Sequence, residues 1–370
     1  MSVDLSAPAL ALLPEALGTT RTIAGLSLSL FMVGFALGQL GGGNWSDGHG
    51  RRPVLLGGLL CFTIAGLACA VSVSGEMLAL SRLVQGCGAG ACFVISFAMV
   101  QDLFKGDAAR VKRSLVATIF SGVPMCAPAL GSVLIDLFGW RSVHWTLAAA
   151  GGLLMAVAWV GVAESRSTGL DRPAQINPGT AVPLWDDPGF MRIALTNALS
   201  YGAIFAYIAG SPVVIIGQMG LSNITFAVVF ACTAAALAAG SWSSGLLSQR
   251  GVGATTLLKS SLMAAAGATT VLAAASLFRI ASGAILIPLV MAILFARGII
   301  APNLQHLAIE RQHERAGAVS AAVGVSQLLL GALASAVVAV LLQFFGPSAV
   351  AVPMALLAVA ALVIWRRTGL

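Results

Sequence analysis

The sequence has few charged residues. Asp, Glu, Lys and Arg together make up 9% of its 370 residues, against about 25% in soluble proteins. Hydrophobic residues make up 58%, and the mean hydropathy is +0.96. The net charge of +7 does not indicate nucleic-acid binding, because the cations lie between apolar runs rather than together on one surface. This composition excludes a soluble globular protein and indicates an all-α integral membrane protein.

The chain also lacks the residue groupings that membrane enzymes use. Its six cysteines form no Cys-x-x-Cys pair, which argues against a disulfide framework or a zinc site. The sequence shows no pattern of paired carboxylates, no P-loop lysine motif and no arrangement of a nucleophile with its base. His306, Glu310 and His313 are the nearest candidates for metal ligands, but Arg311 and Arg315 beside them favour a solvated loop. We therefore expect a protein that is not an enzyme and has neither a cofactor nor a metal site.

Long uncharged runs predict the membrane helices. Residues Thr22 to Ser46 carry no formal charge, and about 20 residues at ~1.5 Å each span the ~30 Å hydrocarbon core. Two longer runs, Ile193 to Gln249 and Ala316 to Trp365, are long enough for two crossings each. The predicted helices cover residues 22–46, 54–74, 77–101, 114–138, 141–163, two within 193–249, 255–278, 282–305 and two within 316–365.

The amino-acid composition predicts where the first helical bundle begins and where it ends. Residues before Leu17 contain too few apolar side chains for a complete crossing, so only half of a first helix is expected and the total is about eleven and a half. Residues 164–189 contain six charged residues and four prolines, typical of a polar linker. We therefore predict a bundle over residues 1–163, a linker over 164–189 and a second bundle over 190–370.

Cations in alternate loops predict the orientation. Fifteen Lys and Arg residues fall on one side of the predicted membrane and only three, Arg21, Arg141 and Arg279, on the other. Because Lys and Arg resist translocation, the richer side, with the linker and the C-terminus, is expected in the cytoplasm.

A polar stretch over residues 43–52 separates the first two complete helices. Its Gly-x-x-x-Asp-x-x-Gly-Arg-Arg spacing resembles the signature loop between helices 2 and 3 of the major facilitator superfamily. Gly43 and Gly50 are expected to permit a tight turn, Asp47 to accept from a neighbouring helix N-terminus, and Arg51 and Arg52 to hold the loop in the cytoplasm. Gly48 stands where the family usually has Arg. The resemblance implies a gating loop, which Asp102 at the end of the fourth helix is expected to join.

Two short patterns narrow the resemblance to the bicyclomycin/chloramphenicol-resistance (Bcr/CflA) branch. Ser2, Asp4 and Pro8-Ala9-Leu10 match the end of that branch's first helix, and Gly139-Trp140-Arg141 matches a later segment. The resemblance implies that Asp4 faces the central cavity as a proton carrier. The competing interpretation is that Asp4 merely caps a helix end reached by solvent.

The segment Arg82-Leu83-Val84-Gln85-Gly86 resembles the superfamily's helix 4 motif. In that motif the Arg and Gln face the cavity and the Arg takes part in proton coupling, so Arg82 and Gln85 are expected to do so. The competing interpretation is that Arg82 reaches the nearby membrane surface.

The predicted fifth helix carries a pattern similar to the antiporter motif of drug exporters in the superfamily. Its members are Gly122, Pro124, Pro128 and Gly131. Small residues allow helices to approach closely, and prolines set a bend. The resemblance therefore favours an exporter over an importer.

Polar residues of the helix 7 region, together with one arginine of helix 10, are candidates to line the cavity, although helix packing explains them equally well. They are Asn197, Tyr201, Tyr207, Gln218, Asn223 and Arg297. Few acids face the predicted cavity, so we expect a small, apolar or weakly charged substrate. The family implies proton-coupled drug efflux by a monomer in a bacterial-type cytoplasmic membrane. The interpretations left open are a carrier for an endogenous metabolite, an inactive truncated remnant and a membrane enzyme.

Overall fold

The computed structural model describes residues 2–103, 127–165, 184–278, 280, 283–311 and 316–367, and this part of the chain is helical without strands. The helices, numbered in chain order, are α1 Ser2–Ser6, α2 Leu13–Ala16, α3 Arg21–His49, α4 Arg51–Ala70, α5 Gly75–Leu103, α6 Ala127–Phe138, α7 Arg141–Gly161, α8 Pro188–Pro212, α9 Asn223–Gln249, α10 Ala254–Leu277, α11 Gly283–Arg311, α12 Ala316–Phe345 and α13 Ser348–Arg366. A 3₁₀ helix over Ala7–Ala11 joins α1 to α2, and a π-helical segment over Val213–Gln218 continues α8.

Ten helices in the described residues are long and apolar enough to cross a membrane, and α6 is a shorter apolar helix. The prediction of an all-helical membrane protein is thereby confirmed. The predicted bounds differ from the observed ones by only a few residues at most ends, and α11 extends six residues beyond its predicted end at 305. Residues 114–126 of the predicted fifth helix lie outside the described part.

Local chemistry explains where several helices begin and end. The hydroxyl of Thr20 accepts from the backbone N–H of Ile23 at the start of α3, and that of Ser222 accepts from Thr225 at the start of α9. Such side chains satisfy N–H groups that have no partner within the helix. Left-handed glycines follow or join the helices at Gly18, Gly50, Gly139, Gly220, Gly251 and Gly346. We call the end of the molecule with Gly50 and Gly251 the arginine-rich end, and the other the opposite end.

The expected ten-residue turn over 43–52 is wrong. Helix α3 continues to His49 and α4 begins at Arg51, so Gly50 alone, with φ +97°, makes the turn. Gly43 lies inside α3 and is not a turn residue. The polar stretch over residues 44–49 remains helical in α3, and one left-handed residue is enough to reverse the chain.

The N-terminal segment is not a straight half helix either. Pro8 and Pro14 fall at its breaks, where a proline removes a backbone donor, and the segment runs as α1, the 3₁₀ helix and α2. It is nevertheless packed inside the protein, because Leu5 and Ala7 are fully buried. A Cβ added at Gly131 of α6 would lie 2.2 Å from the carbonyl oxygen of Leu5, so α1 and α6 are in close contact.

The described helices form two groups, α1–α7 and α8–α13. In the first, α5 packs against α3 and α4; in the second, α8 packs against α12 and α13, and α11 against α9 and α10. The main contact between the groups is that of α3 with α12, and the 3₁₀ helix also contacts α8. The second group begins at Pro188 rather than residue 190. The linker between the groups stays a prediction, because residues 166–183 lie outside the described part.

Glycines bring α3 and α5 into backbone contact in the first group, and α9 and α11 in the second. A Cβ at Gly38 of α3 would lie 2.0 Å from the carbonyl oxygen of Cys87 in α5, and one at Gly90 of α5 would lie 2.0 Å from Phe35 O. In the other group, a Cβ at Gly240 of α9 would lie 2.0 Å from Phe295 O of α11. Small residues are the usual means of close helix packing in membranes, and here both halves use them at corresponding helices.

This packing predicts different effects for two neighbouring glycines of α3. Gly38→Ala forces α3 away from α5, because the atom it would strike is backbone; overpacking of this kind costs about 1–3 kcal/mol. Gly41 is exposed, with nothing within 4 Å of an added Cβ. Gly41→Ala is therefore expected to leave stability unchanged or raise it. Thermal unfolding of the two variants in detergent is the measurement, and equal midpoints would contradict the close α3–α5 contact.

Candidate functional site

Arg82 lies at the centre of a buried polar cluster. Its side chain is 2% exposed, and it donates to Ser2 Oγ at 2.7 Å, to Gln85 Oε1 at 2.8 Å and to Ser6 Oγ at 3.2 Å. Its guanidinium also lies over the ring of Phe31, 4.3 Å from the centroid. The interpretation of Arg82 as a residue reaching the membrane surface is therefore wrong, because its partners come from α1, α3 and α5 in the interior.

Asp4 lies between Ser2 and Ser6 on α1 and is 8% exposed. The interpretation of Asp4 as a solvent-reached helix cap is therefore wrong for this structure. The phenol of Tyr201 on α8 is within electrostatic range of Asp4 and of Arg297 on α11. The guanidinium of Arg297 is 5.8 Å from the centroid of the Tyr201 ring. The structure thus brings Asp4 of one half and Tyr201 and Arg297 of the other into one polar centre.

Several polar atoms of this centre have no hydrogen-bond partner among the described residues. They are Arg297 Nη1, Asn197 Oδ1 and Gln85 Nε2. Arg297 is 5% exposed and lies fourteen residues before the end of α11, deeper than the eight residues expected from the sequence. An unpaired buried polar group costs stability, so the centre has unused capacity for a polar ligand.

His144 is a member of this region that the sequence analysis missed. It is 2% exposed on α7, packs edge-on against Trp140 at 6.0 Å between ring centroids, and is within electrostatic range of Arg82. Its Nδ1 has no partner among the described residues. An isolated His in an apolar helix gives no local signal of such a neighbour.

A second cluster lies at the arginine-rich end of the first half. Arg51 Nε donates to Asp102 Oδ2 at 3.0 Å, so Asp102 does meet the loop as expected. The carboxylate of Glu164 accepts from the backbone N–H of Arg51 at 2.8 Å and of Arg52 at 3.1 Å. Arg52 in turn donates to Trp159 O at 2.6 Å. Glu164, which the sequence analysis assigned only to the linker, therefore caps α4 and ties it to the end of α7.

Asp47 lies in the last turn of α3, and its side chain is outside the described part of the structure. The role expected for it, accepting from a helix N-terminus, is filled at α4 by Glu164. Of the antiporter pattern, Gly122 and Pro124 lie outside the described residues, whereas Pro128 and Gly131 lie in α6. The close approach of Gly131 to α1 agrees with a packing role for the small residues of this pattern.

Contacts between the two halves lie at the opposite end. The amide of Asn223 at the start of α9 donates to Asp136 near the end of α6, and the amide of Gln343 on α12 donates to Thr22 on α3. Thr22 Oγ1 donates to Ala339 O at 3.3 Å. Asn223 is therefore a contact between halves rather than a residue lining the polar centre.

At the arginine-rich end, the second half has its own ion pair. Arg311 at the end of α11 donates to Asp187 before α8, at 2.7 and 2.8 Å. The ion pairs described at this end therefore lie within a half, Arg51 with Asp102 in one and Arg311 with Asp187 in the other. In this conformation the halves are held together at the opposite end.

The proposed metal ligands do not form a site within the described residues. His306 and Glu310 are exposed and 3.7 Å apart, and His313 lies outside the described part. No group of three or more His, Cys, Asp or Glu residues with metal-binding geometry occurs among the residues that the structure describes.

Comparison with known proteins agrees with this architecture. The family model of the Major Facilitator Superfamily matches residues 1–335. A chloramphenicol resistance protein of Pseudomonas aeruginosa is 32% identical over 241 residues, covering 64% of this chain and 56% of the relative. The multidrug resistance protein MdtL of Klebsiella pneumoniae is 29% identical over 233 residues, covering 63% of this chain and 59% of the relative. The matches thus span little more than half the length of these relatives.

A solved structure shares the fold. The chain superposes on a bacterial homologue of the human lysosomal transporter Spinster, in an inward-facing and occupied conformation, with a TM-score of 0.75. The sequence identity is 16%, and the match covers 99% of this chain and 92% of that structure.

The Glu164 cap predicts a local and measurable effect. Glu164→Ala leaves the N–H groups of Arg51 and Arg52 without an acceptor, which by analogy with other caps costs about 0.5–2 kcal/mol. Hydrogen exchange at the start of α4 should become faster, and the thermal midpoint should fall. Glu310→Ala is the matched control, because Glu310 is exposed and pairs only with His306 in the described contacts. A Glu164→Ala variant with unchanged exchange at α4 would contradict the capping role.

Proposed function

Because the chain belongs to the Major Facilitator Superfamily, we propose that it exports small apolar or weakly charged compounds across a bacterial cytoplasmic membrane in exchange for protons. The family and fold indicate a transporter rather than an enzyme. Support for drug efflux comes from the relatives, which are named chloramphenicol resistance and multidrug resistance proteins. The observation that carries the proposal is the polar centre between the halves, with Asp4 and Arg82 on one side and Tyr201 and Arg297 on the other.

The hydrogen bonds between the halves support the proposed conformation, and the distribution of Lys and Arg supports the proposed orientation. The described hydrogen bonds between halves lie at the opposite end, and the Spinster homologue superposed above is inward-facing. The excess of Lys and Arg supports a cytoplasmic position for the arginine-rich end, and with it the C-terminus. We propose a carrier that is closed toward the outside in this conformation and that acts as a monomer. Alternating access requires the contacts of Thr22, Gln343, Asp136 and Asn223 to break while the halves close at the arginine-rich end.

Asp4 is the proton carrier in this proposal, and Arg82 positions it. Arg82 binds Ser2 and Ser6, which flank Asp4 on α1, and so holds the short helix in place. Tyr201 of the second half is within electrostatic range of Asp4 and of Arg297. Protonation of Asp4 removes a charge from this low-dielectric region between the halves and so alters how the halves interact at this point. The proton thereby changes the relative stability of two arrangements of the halves.

Substrate binding uses the atoms of the second half that have no partner. Arg297 Nη1 can donate to a carbonyl, nitro or hydroxyl oxygen, and Asn197 Oδ1 can accept from a hydroxyl or amide. Tyr201 and Phe205, whose rings are 4.7 Å apart, supply an aromatic surface beside them. A compact compound with an apolar ring and neutral donor and acceptor groups fits this arrangement.

Everted membrane vesicles test the function directly. With the lumen acidified by respiration and a pH-sensitive dye inside, chloramphenicol is expected to raise the lumenal pH as protons leave in exchange for the drug. Vesicles without the protein should show no response.

In the vesicles that contain the protein, a tag after the C-terminus should be cut by protease added outside. Absence of substrate-linked proton movement over a broad drug panel would contradict the antiporter, and a protected tag would contradict the orientation.

Two arginine variants separate coupling from binding. Arg82→Lys cannot reproduce the forked contacts to Ser2, Ser6 and Gln85, so proton movement should fall at least ~10-fold while chloramphenicol binding persists. Arg297→Gln removes a charged donor, worth about 1.5–3 kcal/mol, so binding should weaken by roughly 10- to 100-fold. Arg21→Gln, at the exposed start of α3, is the control. Equilibrium binding and vesicle assays measure both; variants indistinguishable from Arg21→Gln would refute these roles.

A further inference from the structure

A second cavity lies wholly within the second half, away from the polar centre. It encloses about 650 Å³, part of it open to the surroundings, between α8, the π segment, α9, α10, α11 and α13. We call it the C-half pocket. Of the residues expected from the sequence to line the transport cavity, Tyr207 alone is among the residues that line this pocket.

The inner wall of the C-half pocket is apolar. Leu272 of α10, Val290 of α11 and Met354 of α13 line it, and no charged side chain does. From Pro347 at the mouth to Met354, seven residues correspond to about 10 Å of depth at ~1.5 Å per residue. A charged ligand would lose its hydration without compensation in such a site, so the occupant must present an apolar body.

Polar groups of the C-half pocket concentrate toward its mouth. Ser211 lies in the last turn of α8 and Ser276 in the last turn of α10, both at the opposite end, and Tyr207 lies one turn deeper than Ser211. These three side chains are 3–6% exposed; the Tyr207 hydroxyl interacts with those of Ser211 and Thr233, whereas Ser276 Oγ has no hydrogen-bond partner among the described residues. Hydrocarbon cannot supply the partner that Ser276 lacks, so this hydroxyl favours a ligand with a hydrogen-bonding group at that level.

We propose that the C-half pocket binds a single-tailed, uncharged amphiphile, with its hydroxyl at Ser276 and Ser211 and its tail directed toward Val290 and Met354. This orientation matches that of an amphiphile in the bilayer, because the hydroxyls lie at helix ends and the apolar wall lies deeper. The shared chemistry is a primary alcohol or monoacylglycerol on one alkyl chain, derived from the membrane or taken up as a free compound.

The pocket also adjoins the contact between the halves. Val214 and Ile215 line it and belong to the π segment, which contacts the 3₁₀ helix Ala7–Ala11 of the first half. π-helical turns inside α-helices occur frequently at functional sites. A bound amphiphile packs against one side of this segment and the first half against the other, so occupancy stabilises the closed opposite end.

A photoreactive decanol that carries a diazirine on its chain tests the site in the purified full-length protein in nanodiscs. Labelled peptides are expected from α10, α11 and α13. Unlabelled decanol should compete, whereas decanoate and decyltrimethylammonium of the same length should not. Native mass spectrometry of the untreated protein identifies the source: a retained monoacyl lipid displaced by decanol indicates the membrane, and an empty pocket that takes decanol indicates a free alcohol.

Matched serine variants of α10 provide the decisive comparison. Ser276→Leu fills the mouth and removes a hydroxyl, so pocket labelling should fall at least tenfold. Ser260→Leu makes the same change on an exposed face of the same helix and should leave labelling intact. Thermal unfolding checks that both variants fold. If the Ser276→Leu variant does not fold, Ala351→Leu on α13 is used as the pocket-filling variant instead. Equal labelling in the pocket-filling and control variants, or equal competition by the charged compounds, would overturn the proposal.

Discussion

Hydrocarbon supplies no hydrogen bonds, and this constraint governs every level of the structure. Each backbone N–H and C=O inside the membrane must find its partner within the protein, which is why the apolar segments of the described chain are helical. The same constraint acts on side chains. Ser6, for example, donates to Ser2 O of its own turn at 2.8 Å, and its oxygen also accepts from Arg82. A guanidinium remains at this depth only because such groups surround it.

Apolar side chains interact with lipid tails about as favourably as with each other. The helices are therefore held together by close packing rather than by the hydrophobic effect alone. Gly38 and Gly90 allow backbone contact between α3 and α5, and Gly240 does the same between α9 and α11. Across the halves, a Cβ at Gly25 of α3 would lie 2.4 Å from Ala339 Cβ of α12. In the described part of the chain, the hydrogen bonds between the halves lie at the opposite end.

The polar groups fall into two classes that follow from this arrangement. Several of those at the arginine-rich end are satisfied: Glu164 accepts at the start of α4, and Asp187 accepts from Nε and Nη2 of Arg311. Several of those in the membrane interior are not, among them Arg297 Nη1 and the Ser276 hydroxyl. Unsatisfied groups cost stability, so a protein keeps them where a ligand supplies the partner. The satisfied groups thus hold the architecture, and the unsatisfied groups of the polar centre and the C-half pocket are the ones for which we propose a ligand.

The sequence by itself determined the membrane helices, their bounds to within a few residues at most ends, and the superfamily to which the chain belongs. Uncharged runs of this length have one stable form in a bilayer, and short spacings such as Arg82 to Gln85 are fixed by the helix itself. Only the tertiary structure decided that Gly50 rather than Gly43 makes the turn, and that Glu164, 113 residues away, caps Arg51. It also decided that Tyr201 comes within electrostatic range of both Asp4 and Arg297, that His144 comes within electrostatic range of Arg82, and that a pocket opens inside the second half. These contacts join residues distant in the chain, and they depend on the depth and rotation of packed helices. Local hydropathy contains no information about either, because it records only whether a segment enters the membrane.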